Sequence, residues 1–503
     1  GGIGGLGGVG GRASAGQVGS QGASGAGVEL ASGTNTVRND VGGNILGGDG
    51  TFGGAGILVR QPAFVAITNL GTIRGGLGGT THGIQNSGIV SRLSNAQGGD
   101  VAALTYNGAL PTGYNVLINS TASYGQVVFS NTGGSVTFWS AESLRGPLST
   151  NVYRNVMAGI TGAQIANLSS GRVQSDGVIA MVDTSTWRGG AANSWDLRVL
   201  DFGNDMAKPL SAVLEQRQII VRNALGYDCN QFTAGSVCFS AALRSTSSNG
   251  VKQDAAVFTA ALAISDNLRL GIFADVAGNE VSATGIAADD RKALFGTFVE
   301  YNQNASGAGF NARVAVAYED GNARFSHANL TGTGATASGD SRLSNVAAEL
   351  RIGRGFKVTN TTLVTPQIGL VYTNAARAGY SDTANAGVVT TPITFDRFVI
   401  ERFSVSVGAE IRGKFTEKFS YRVAASNEKD ISYNVDNFTI SGSFGNASFV
   451  GLPTRNSWRL HGSAEVGYAI NDRLSLVVNN TVRRLYNADK LNNTISAGIL
   501  ASF

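Results

Sequence analysis

The sequence predicts an all-β protein: a right-handed parallel β-helix, or solenoid, followed by a twelve-stranded antiparallel transmembrane β-barrel with a single helix in its lumen. Three observations carry this reading. Glycine supplies 70 of 503 residues while Asp, Glu, Lys and Arg together make 14%, against about 25% charged residues in ordinary soluble domains. Unbroken apolar runs reach about five residues, as at 260–264, far short of the ~20 that a membrane-spanning helix needs. From residue 237 onward apolar residues recur at every second position, the period of a strand with one apolar face. Collagen would need Gly at every third position and far more than seven prolines, and a disordered chain would not carry 42% apolar residues.

Charge and cysteine usage narrow the classes further. A net charge of +4 without any Lys/Arg cluster leaves no footprint for a nucleic acid. Cys229 and Cys238 lie nine positions apart, without the second pair or the neighbouring histidines of a zinc site. A disulfide is the expectation and two free thiols the alternative. The chain starts at Gly1 with neither Met nor an apolar leader, which reads as a matured chain or the C-terminal portion of a longer one.

Residues 1–105 read as a Gly/Asn-rich solenoid. Gly2, Gly4 and Gly7 formally fit G-x-G-x-x-G, but no strand precedes them and no helical pattern follows, as a dinucleotide site requires. The clearer signal is Ile67, Asn69, Gly71 and Ile73, matched seventeen residues later by Ile84, Asn86, Gly88 and Val90, with degenerate copies at Val37 to Asn39 and Leu93 to Asn95. In a β-helix the apolar residue points inward, Asn bridges backbone, and Gly permits the corner. Residues 106–205 then alternate in runs rich in aromatics, such as Tyr114, Val116 and Ile118, or Trp195, Leu197 and Val199, divided by turn signals at 132–134 and 188–190. These read as strands and hairpins capping the solenoid.

Between 206 and 228 the period changes. Leu210, Val213, Leu214, Ile220, Val221, Ala224 and Leu225 follow the three-four spacing of an amphipathic helix, with Pro209 tolerated in the first turn and Gly226 placed to end it. About eighteen residues at 1.5 Å each make ~27 Å, close to the thickness of a membrane core. The polar residues Glu215, Gln216, Arg217, Gln218, Arg222 and Asn223 are then available to face a charged lumen.

Residues 229–503 read as twelve strands, from Val237, Phe239 and Leu243 in the first to Leu491, Ile495 and Ile499 in the last. The opposite face carries Arg244, Arg269, Asp275, Glu300, Arg313, Glu319, Glu349, Arg351, Arg402, Glu410, Arg412, Arg422, Arg459 and Glu465. Loop lengths decide between a soluble sandwich and a membrane barrel. Turns after the second, eighth and tenth strands are tight, near 265–267, 413–414 and 471–472, while connections after the fifth, seventh and ninth run to about twenty or thirty residues, the asymmetry of an outer-membrane barrel. Trp458 with Tyr468, and Phe310 with Tyr318, suit two interfacial girdles. An even strand count returns the chain to the rim where it began, so a solenoid outside the cell must be joined through the lumen, and the helix is the element that can do so.

In this order of parts the chain resembles a classical autotransporter of type V secretion. Leu210 to Asn223 resembles the family's linker helix. Asp228 and Cys229, followed by Gly235 and Cys238, resemble the paired cysteines that precede the first strand in one branch. Gly108 to Pro111 with Ser123 to Gln126 resembles the autochaperone-like, strand-rich module before the pore, and Phe503 resembles the terminal signal read by the barrel-assembly machinery. The resemblance implies a barrel in the outer membrane of a Gram-negative bacterium that anchors and helps translocate an N-terminal passenger to the cell surface. It implies outer-membrane lipid, the assembly machinery and periplasmic chaperones as partners, a monomeric barrel, and a disulfide at the oxidising periplasmic mouth. The helix lacks the Asn-Asn pair at which some members cleave themselves, so the passenger is expected to stay attached.

No enzyme is expected. His82, His327 and His461 are scattered, no G-x-S-x-G elbow occurs, and nothing resembles a cofactor or nucleotide site. An adhesin-like passenger, with a ligand on a host or neighbouring cell, is compatible with this reading. The competing class is an outer-membrane diffusion channel with an accessory solenoid, which would need an open lumen.

Overall fold

The structure, a computed structural model, describes residues 25–503 apart from 51–52, 80, 147, 149, 169–171, 175–177, 186–192, 230–235, 249–250, 279–280, 284, 289–292, 329–335, 384–391, 443–444, 450–456 and 487–489. The glycines at 2, 4 and 7 lie outside the described residues. Two compact units part between Phe202 and Gly203.

The first unit is a parallel solenoid. Strands Val28–Leu30, Ile57–Val59, Ile84–Asn86, Leu104–Gly108, Val127–Ser130 and Asn151–Ala158 stack as one sheet, and Thr34–Asn39, Phe64–Asn69, Ile89–Asn95, Gly113–Ile118 and Thr137–Ser143 as a second. Asn44–Leu46 and Thr72–Arg74 pair as a third face of the first two coils. Inward residues fall in register: Val37, Ile67, Leu93, Tyr114 and Phe138 lie one above another, as do Ile57, Ile84, Tyr106 and Phe129. Apart from Val37 all of these are buried, because a coil can exclude water from its apolar residues only by stacking on the next. Gly108 and Gly159 turn with φ of 102° and 81°, and at each a Cβ would collide with a carbonyl of the preceding coil, that of Asn86 and of Phe129.

The motif spaced by seventeen residues proves not to mark successive coils. Ile67 and Asn69 stack on the two degenerate copies, Val37 with Asn39 and Leu93 with Asn95, whereas Ile84 and Asn86 belong to the other sheet. The three stacked asparagines form a buried ladder: Asn39 Nδ2 donates to Asn69 Oδ1 at 2.8 Å, and Asn69 Nδ2 donates to Asn95 Oδ1 at 3.0 Å. Gln97 Oε1 closes the ladder by accepting from Asn69 Nδ2 at 3.1 Å and from the Ile73 N–H at 2.8 Å. Parallel stacking also runs past the change of pattern at 106, through Asn151–Ala158; antiparallel pairing begins only with Trp195–Asp201, Val178–Thr184 and Arg172–Gln174.

The second unit is a closed barrel. Its strands are β1 (Val237–Ser248), β2 (Val251–Ala263), β3 (Leu268–Ala277), β4 (Ala293–Asn302), β5 (Gly309–Ala328), β6 (Thr336–Lys357), β7 (Thr362–Arg377), β8 (Phe398–Lys414), β9 (Phe419–Val435), β10 (Trp458–Ala469), β11 (Leu474–Arg484) and β12 (Leu491–Ser502). Neighbours in this order pair antiparallel, and β1 pairs with β12 from Cys238 opposite Ser502 to Ser247 opposite Asn493, so that no strand edge is left open. The apolar set faces outward: Leu243, Phe258, Ile272, Phe295, Val407, Leu460 and Ile499 are all exposed. Charged residues face inward and are buried, the inverse of a soluble core and the arrangement lipid requires.

Rings gather towards both ends of the wall. Near the short-turn rim Tyr301 meets Phe310, Phe419 meets Tyr468 and Phe415 meets Tyr421. Near the other rim three rings have polar partners: Tyr372 Oη donates to Glu401 at 2.8 Å, Arg342 Nη2 donates to Tyr318 Oη at 3.3 Å, and Lys429 Nζ lies 4.8 Å from the Trp458 ring. The sequence predicts a long loop between Tyr318 and Val346, but β5 and β6 continue as strands to Ala328 and from Thr336. Beyond Tyr318 the outward residues are Asp320, Arg324, Asp340 and Arg342, tied by an Arg342–Asp320 pair at 2.6 Å and an Arg324–Asp340 pair at 3.9 Å. With no hydrocarbon to face, these extensions have no apolar stripe, which is why their period is silent in the sequence.

Candidate functional site: the helix in the barrel lumen

A single turn of π-helix at Gly203–Ala207 leads into α1 (Lys208–Ala224). Pro209 costs nothing in the first turn, where its missing N–H would have no intrahelical acceptor. Ser211 Oγ donates to the Ala207 carbonyl at 2.7 Å. Asp205, just before α1, approaches Gly285 on the long-loop rim, and the chain leaves the helix at Gly226 towards Cys229 and the short-turn rim.

The helix is buried on all sides, including Glu215, Gln216, Arg217, Gln218 and Arg222. Its partners come from strands around the whole wall, which places it in the lumen. Arg217 lies 3.8 Å from Glu319 on β5; Gln218 Nε2 donates to the Ile400 carbonyl on β8 at 3.2 Å; Asn223 Nδ2 donates to Thr494 Oγ1 on β12 at 3.2 Å, and its Oδ1 accepts from Arg483 Nε on β11 at 3.4 Å. The apolar side of its last turns, Ile220, Val221, Ala224 and Leu225, packs on Phe273, Phe298, Ala315 and Leu500, while Ile219 meets Leu485 and Tyr486.

Two ionic clusters hold the helix. In the upper one Arg222 reaches Glu349 on β6 at 3.1 Å and Glu428 on β9 at 3.5 Å. Glu428 also takes Arg459 at 2.7 Å and Arg483 at 3.2 Å, and Asp430 takes Arg459 at 2.6 Å and Arg402 at 3.6 Å. Arg402 lies over the rings of Tyr433 and Tyr486, 4.4 and 4.2 Å from their centroids, where its planar guanidinium gains a cation–π contact.

The lower cluster seals the C-terminal end of the helix. Arg313 Nη2 donates to the Leu225 and Tyr227 carbonyls at 3.2 and 2.7 Å, satisfying acceptors that a helix C-terminus leaves open. Arg313 and Arg269 share Glu300, at 3.0 and 2.5 Å, and Asp228, at 3.5 and 2.7 Å. Tyr227 Oη donates to Asp275 at 2.7 Å, and Arg244 donates to both oxygens of the same carboxylate at 2.7 and 2.9 Å. Cys229 and Cys238 are joined by a disulfide with Cα atoms 5.9 Å apart, so the strap below the helix is tied to the first residues of β1.

The remaining inward residues complete the lining. Arg422 pairs with Glu410 at 2.9 Å, Asn479 Nδ2 donates to Glu465 at 3.4 Å, and Arg351 lines, together with Arg222, Glu410, Arg422 and Glu465, a cavity in the lumen. Arg412 lies at the short-turn rim, where it donates to the Ser306 carbonyl at 3.1 Å. The histidines are apart: His82 lies in a solenoid turn, His327 pairs with Asp382 at 3.1 Å, and His461 meets Ser426 at 3.3 Å in the lumen. Phe503 closes the barrel seam, exchanging backbone bonds with Val237 at 2.9 and 3.1 Å.

Sequence reading missed Glu428, Asp430, Arg483 and the ionic part played by Asp228. Glu428 continues the alternate series Arg422, Ala424 and Ser426, and Arg483 continues Asn479 and Thr481, so both were within reach of parity. The outward neighbours of Glu428, Asn427 and Lys429, are polar, so no apolar stripe marks this stretch as strand.

A membrane barrel closed by a helix of its own chain, with the helix N-terminus joined to a solenoid, defines an outer-membrane translocator. Consistently, residues 241–481 match the family model of the autotransporter beta-domain, and this barrel is an autotransporter β-domain. Among solved structures, the chain is similar to the translocator domain of the autotransporter NalP from Neisseria meningitidis, with 12% identity over 59% of this chain and 98% of that one and a TM-score of 0.43. It is also similar to the β-domain of the Bordetella autotransporter BrkA (14% identity, 54% and 99% covered, TM-score 0.32) and to the transport unit of the autotransporter AIDA-I from Escherichia coli (12%, 59% and 99%, 0.30). No curated protein matches the chain. The protein is thus a component of type V secretion, anchored by its barrel in the Gram-negative outer membrane with its passenger displayed on the cell surface.

Proposed function

We propose that the passenger is adhesin-like and non-enzymatic, that it stays attached to the barrel, and that α1 is the tether through which it was delivered. The observation that carries this reading is the rim-to-rim course of α1, continuous with the solenoid strands at one end and with β1 at the other. An Asn-Asn cleavage pair is absent from the helix, and its asparagine, Asn223, is engaged by Thr494 and Arg483. Stacked solenoid faces with polar outward ladders, such as Gln85 with Asn107 at 2.8 Å, offer an extended surface for a ligand on another cell. In this proposal residues 106–205 template the folding of preceding coils as they emerge, Phe503 presents the seam to the assembly machinery, and periplasmic chaperones keep the barrel segment unfolded until then. The diffusion-channel alternative needs an open lumen, whereas α1 and its ion pairs obstruct this one.

Topology is tested by single cysteines in a background with Cys229→Ser and Cys238→Ser. Val41, 79% exposed in the solenoid, is the passenger site. A membrane-impermeant maleimide added to intact cells is expected to label V41C and to reach D472C, in a short turn, only after the outer membrane is permeabilised. Labelling of D472C alone would overturn the proposal. For the adhesin part, binding of cells displaying the full chain to host-cell monolayers or to one another is expected to exceed that of cells displaying a variant lacking 25–105; equal binding would remove it.

A further inference from the structure

The outward face of the barrel is uneven where it crosses β1 to β4. Ala260 on β2 stands between Phe239 and Ile272, and Ala274 on β3 stands between Phe258 and Phe295. Large and small residues therefore alternate both along and across the strands, and the small ones line up on a diagonal. Phe239 and Phe258 form one ridge, Ile272 and Phe295 the other, each of the four at least half exposed. Between them runs an almost wholly apolar furrow of about 620 Å³, within the roughly 300–1,000 Å³ of small-molecule sites.

This surface is continuous with the lipid-facing wall, whose established neighbour is the hydrocarbon of the membrane. We propose that the furrow holds one acyl chain of an outer-membrane phospholipid. A flexible chain can follow a diagonal floor of alanines and recover the dispersion contacts that flat packing across the ridges would forfeit. A second barrel cannot: with Ile499 and Ala501 of β12 the furrow spans five strands, which at about 4.8 Å by some four residues give roughly 300 Å², against about 800 Å² per partner in a stable complex.

The test uses the full chain reconstituted in nanodiscs of palmitoyl-oleoyl phosphatidylethanolamine, extracted with mild detergent and weighed by native mass spectrometry. Wild type is expected to retain one phospholipid per barrel. The furrow-filling pair Ala260→Phe with Ala274→Phe, or the milder Ala260→Leu with Ala274→Leu should the first fail to insert, is expected to cut that occupancy at least tenfold. Ala464→Phe, on the outward face of β10, is expected to leave it unchanged, with folding verified in every case by heat-modifiable gel mobility. Equal retention by all variants, retention by none, or a barrel dimer abolished by the filling pair would overturn the proposal.

Discussion

Arg222 and Glu428 are 206 positions apart in sequence, yet the guanidinium of one meets the carboxylate of the other at 3.5 Å in the middle of the lumen. Glu428 is also the partner of Arg459 and Arg483, so one carboxylate joins three buried cations, two of which have a second carboxylate, Arg222 in Glu349 and Arg459 in Asp430.

Glu428→Ala takes the carboxylate from Arg483 and leaves Arg222 on Glu349 and Arg459 on Asp430. Breaking a buried ion pair on one side typically costs about 3–5 kcal/mol, and the barrel is expected to lose stability of that order in urea unfolding of the folded, detergent-solubilised chain. Loosened contacts to α1 are expected to appear as raised and noisier conductance in planar bilayers. Conductance and stability at wild-type values would show that Glu428 does not hold the helix.

The disulfide makes a separate prediction. Closing a loop of about ten residues is worth roughly 2–3 kcal/mol in the chain-entropy picture, so C229S/C238S is expected to unfold correspondingly earlier in denaturant. Dithiothreitol should bring wild type to the variant's midpoint and leave the variant where it is.

Gly271 and Gly296 face the rings of Phe298 and Phe273 on the paired strand, each ring lying where a Cβ would stand. Gly271→Ala is expected to displace Phe298 from beneath Arg313, whose guanidinium carbon is 4.1 Å from the ring centroid, and to cost about 1–3 kcal/mol by overpacking. Restoration of heat-modifiable mobility and unfolding midpoint by Phe298→Leu in the same chain would confirm the steric origin.

In the solenoid, Asn69→Ala withdraws the acceptor of Asn39 and the donor to Asn95 and Gln97 at once. Each partner keeps another bond: Asn39 donates to the Gly43 and Thr72 carbonyls, Asn95 accepts from the Gln97 N–H, and Gln97 accepts from the Ile73 N–H. The loss is that of the ladder bonds themselves, about 0.5–1.5 kcal/mol each, and limited proteolysis of the displayed passenger is expected to begin at lower denaturant concentrations than in wild type. Asn69→Ser is expected to be intermediate.

Burial pushes the phenols of Tyr106 and Tyr114 above their usual range. A neutral phenol favoured by folding contributes stability that is complete below the unfolded value of about 10 and is lost as pH rises through the folded value. Alkaline titration is therefore expected to show these two tyrosinates at 295 nm only together with loss of the β circular-dichroism band. Tyr106→Phe should move that transition to higher pH.

Much of this architecture was legible because lipid imposes a strict period. Leu243, Phe258, Ile272 and their counterparts sit at alternate positions for one physical reason, and the three-four spacing of Leu210 to Leu225 stands out against that background. Legibility fails where the constraint lifts. Asp320 and Asp340 lie on strand extensions that meet no hydrocarbon, and beside Glu428 the outward positions are Asn427 and Lys429 although Val407 and Leu460 flank Asn427, so these stretches resemble loop in sequence. The phase of the solenoid is hidden for another reason: Asn69 and Asn86 share a motif although Asn69 pairs with side chains in the ladder and Asn86 bridges backbone in the other sheet, and coils of unequal length hide which copies stack. The lower cluster of Asp228, Arg269, Glu300 and Arg313 unites three strands and a strap, a meeting that only tertiary structure reveals.

On the proposal that the passenger is delivered through this lumen and stays attached, α1, covalently part of the chain it escorts, occupies the passage and the conduit is consumed by its first delivery. Each barrel is then a single-turnover device: one cargo per pore, with no recycling for a second molecule. The number of passengers on a cell is then fixed by how many chains are synthesised and by how growth and division dilute them, and a bacterium can raise that number only by laying down new membrane protein.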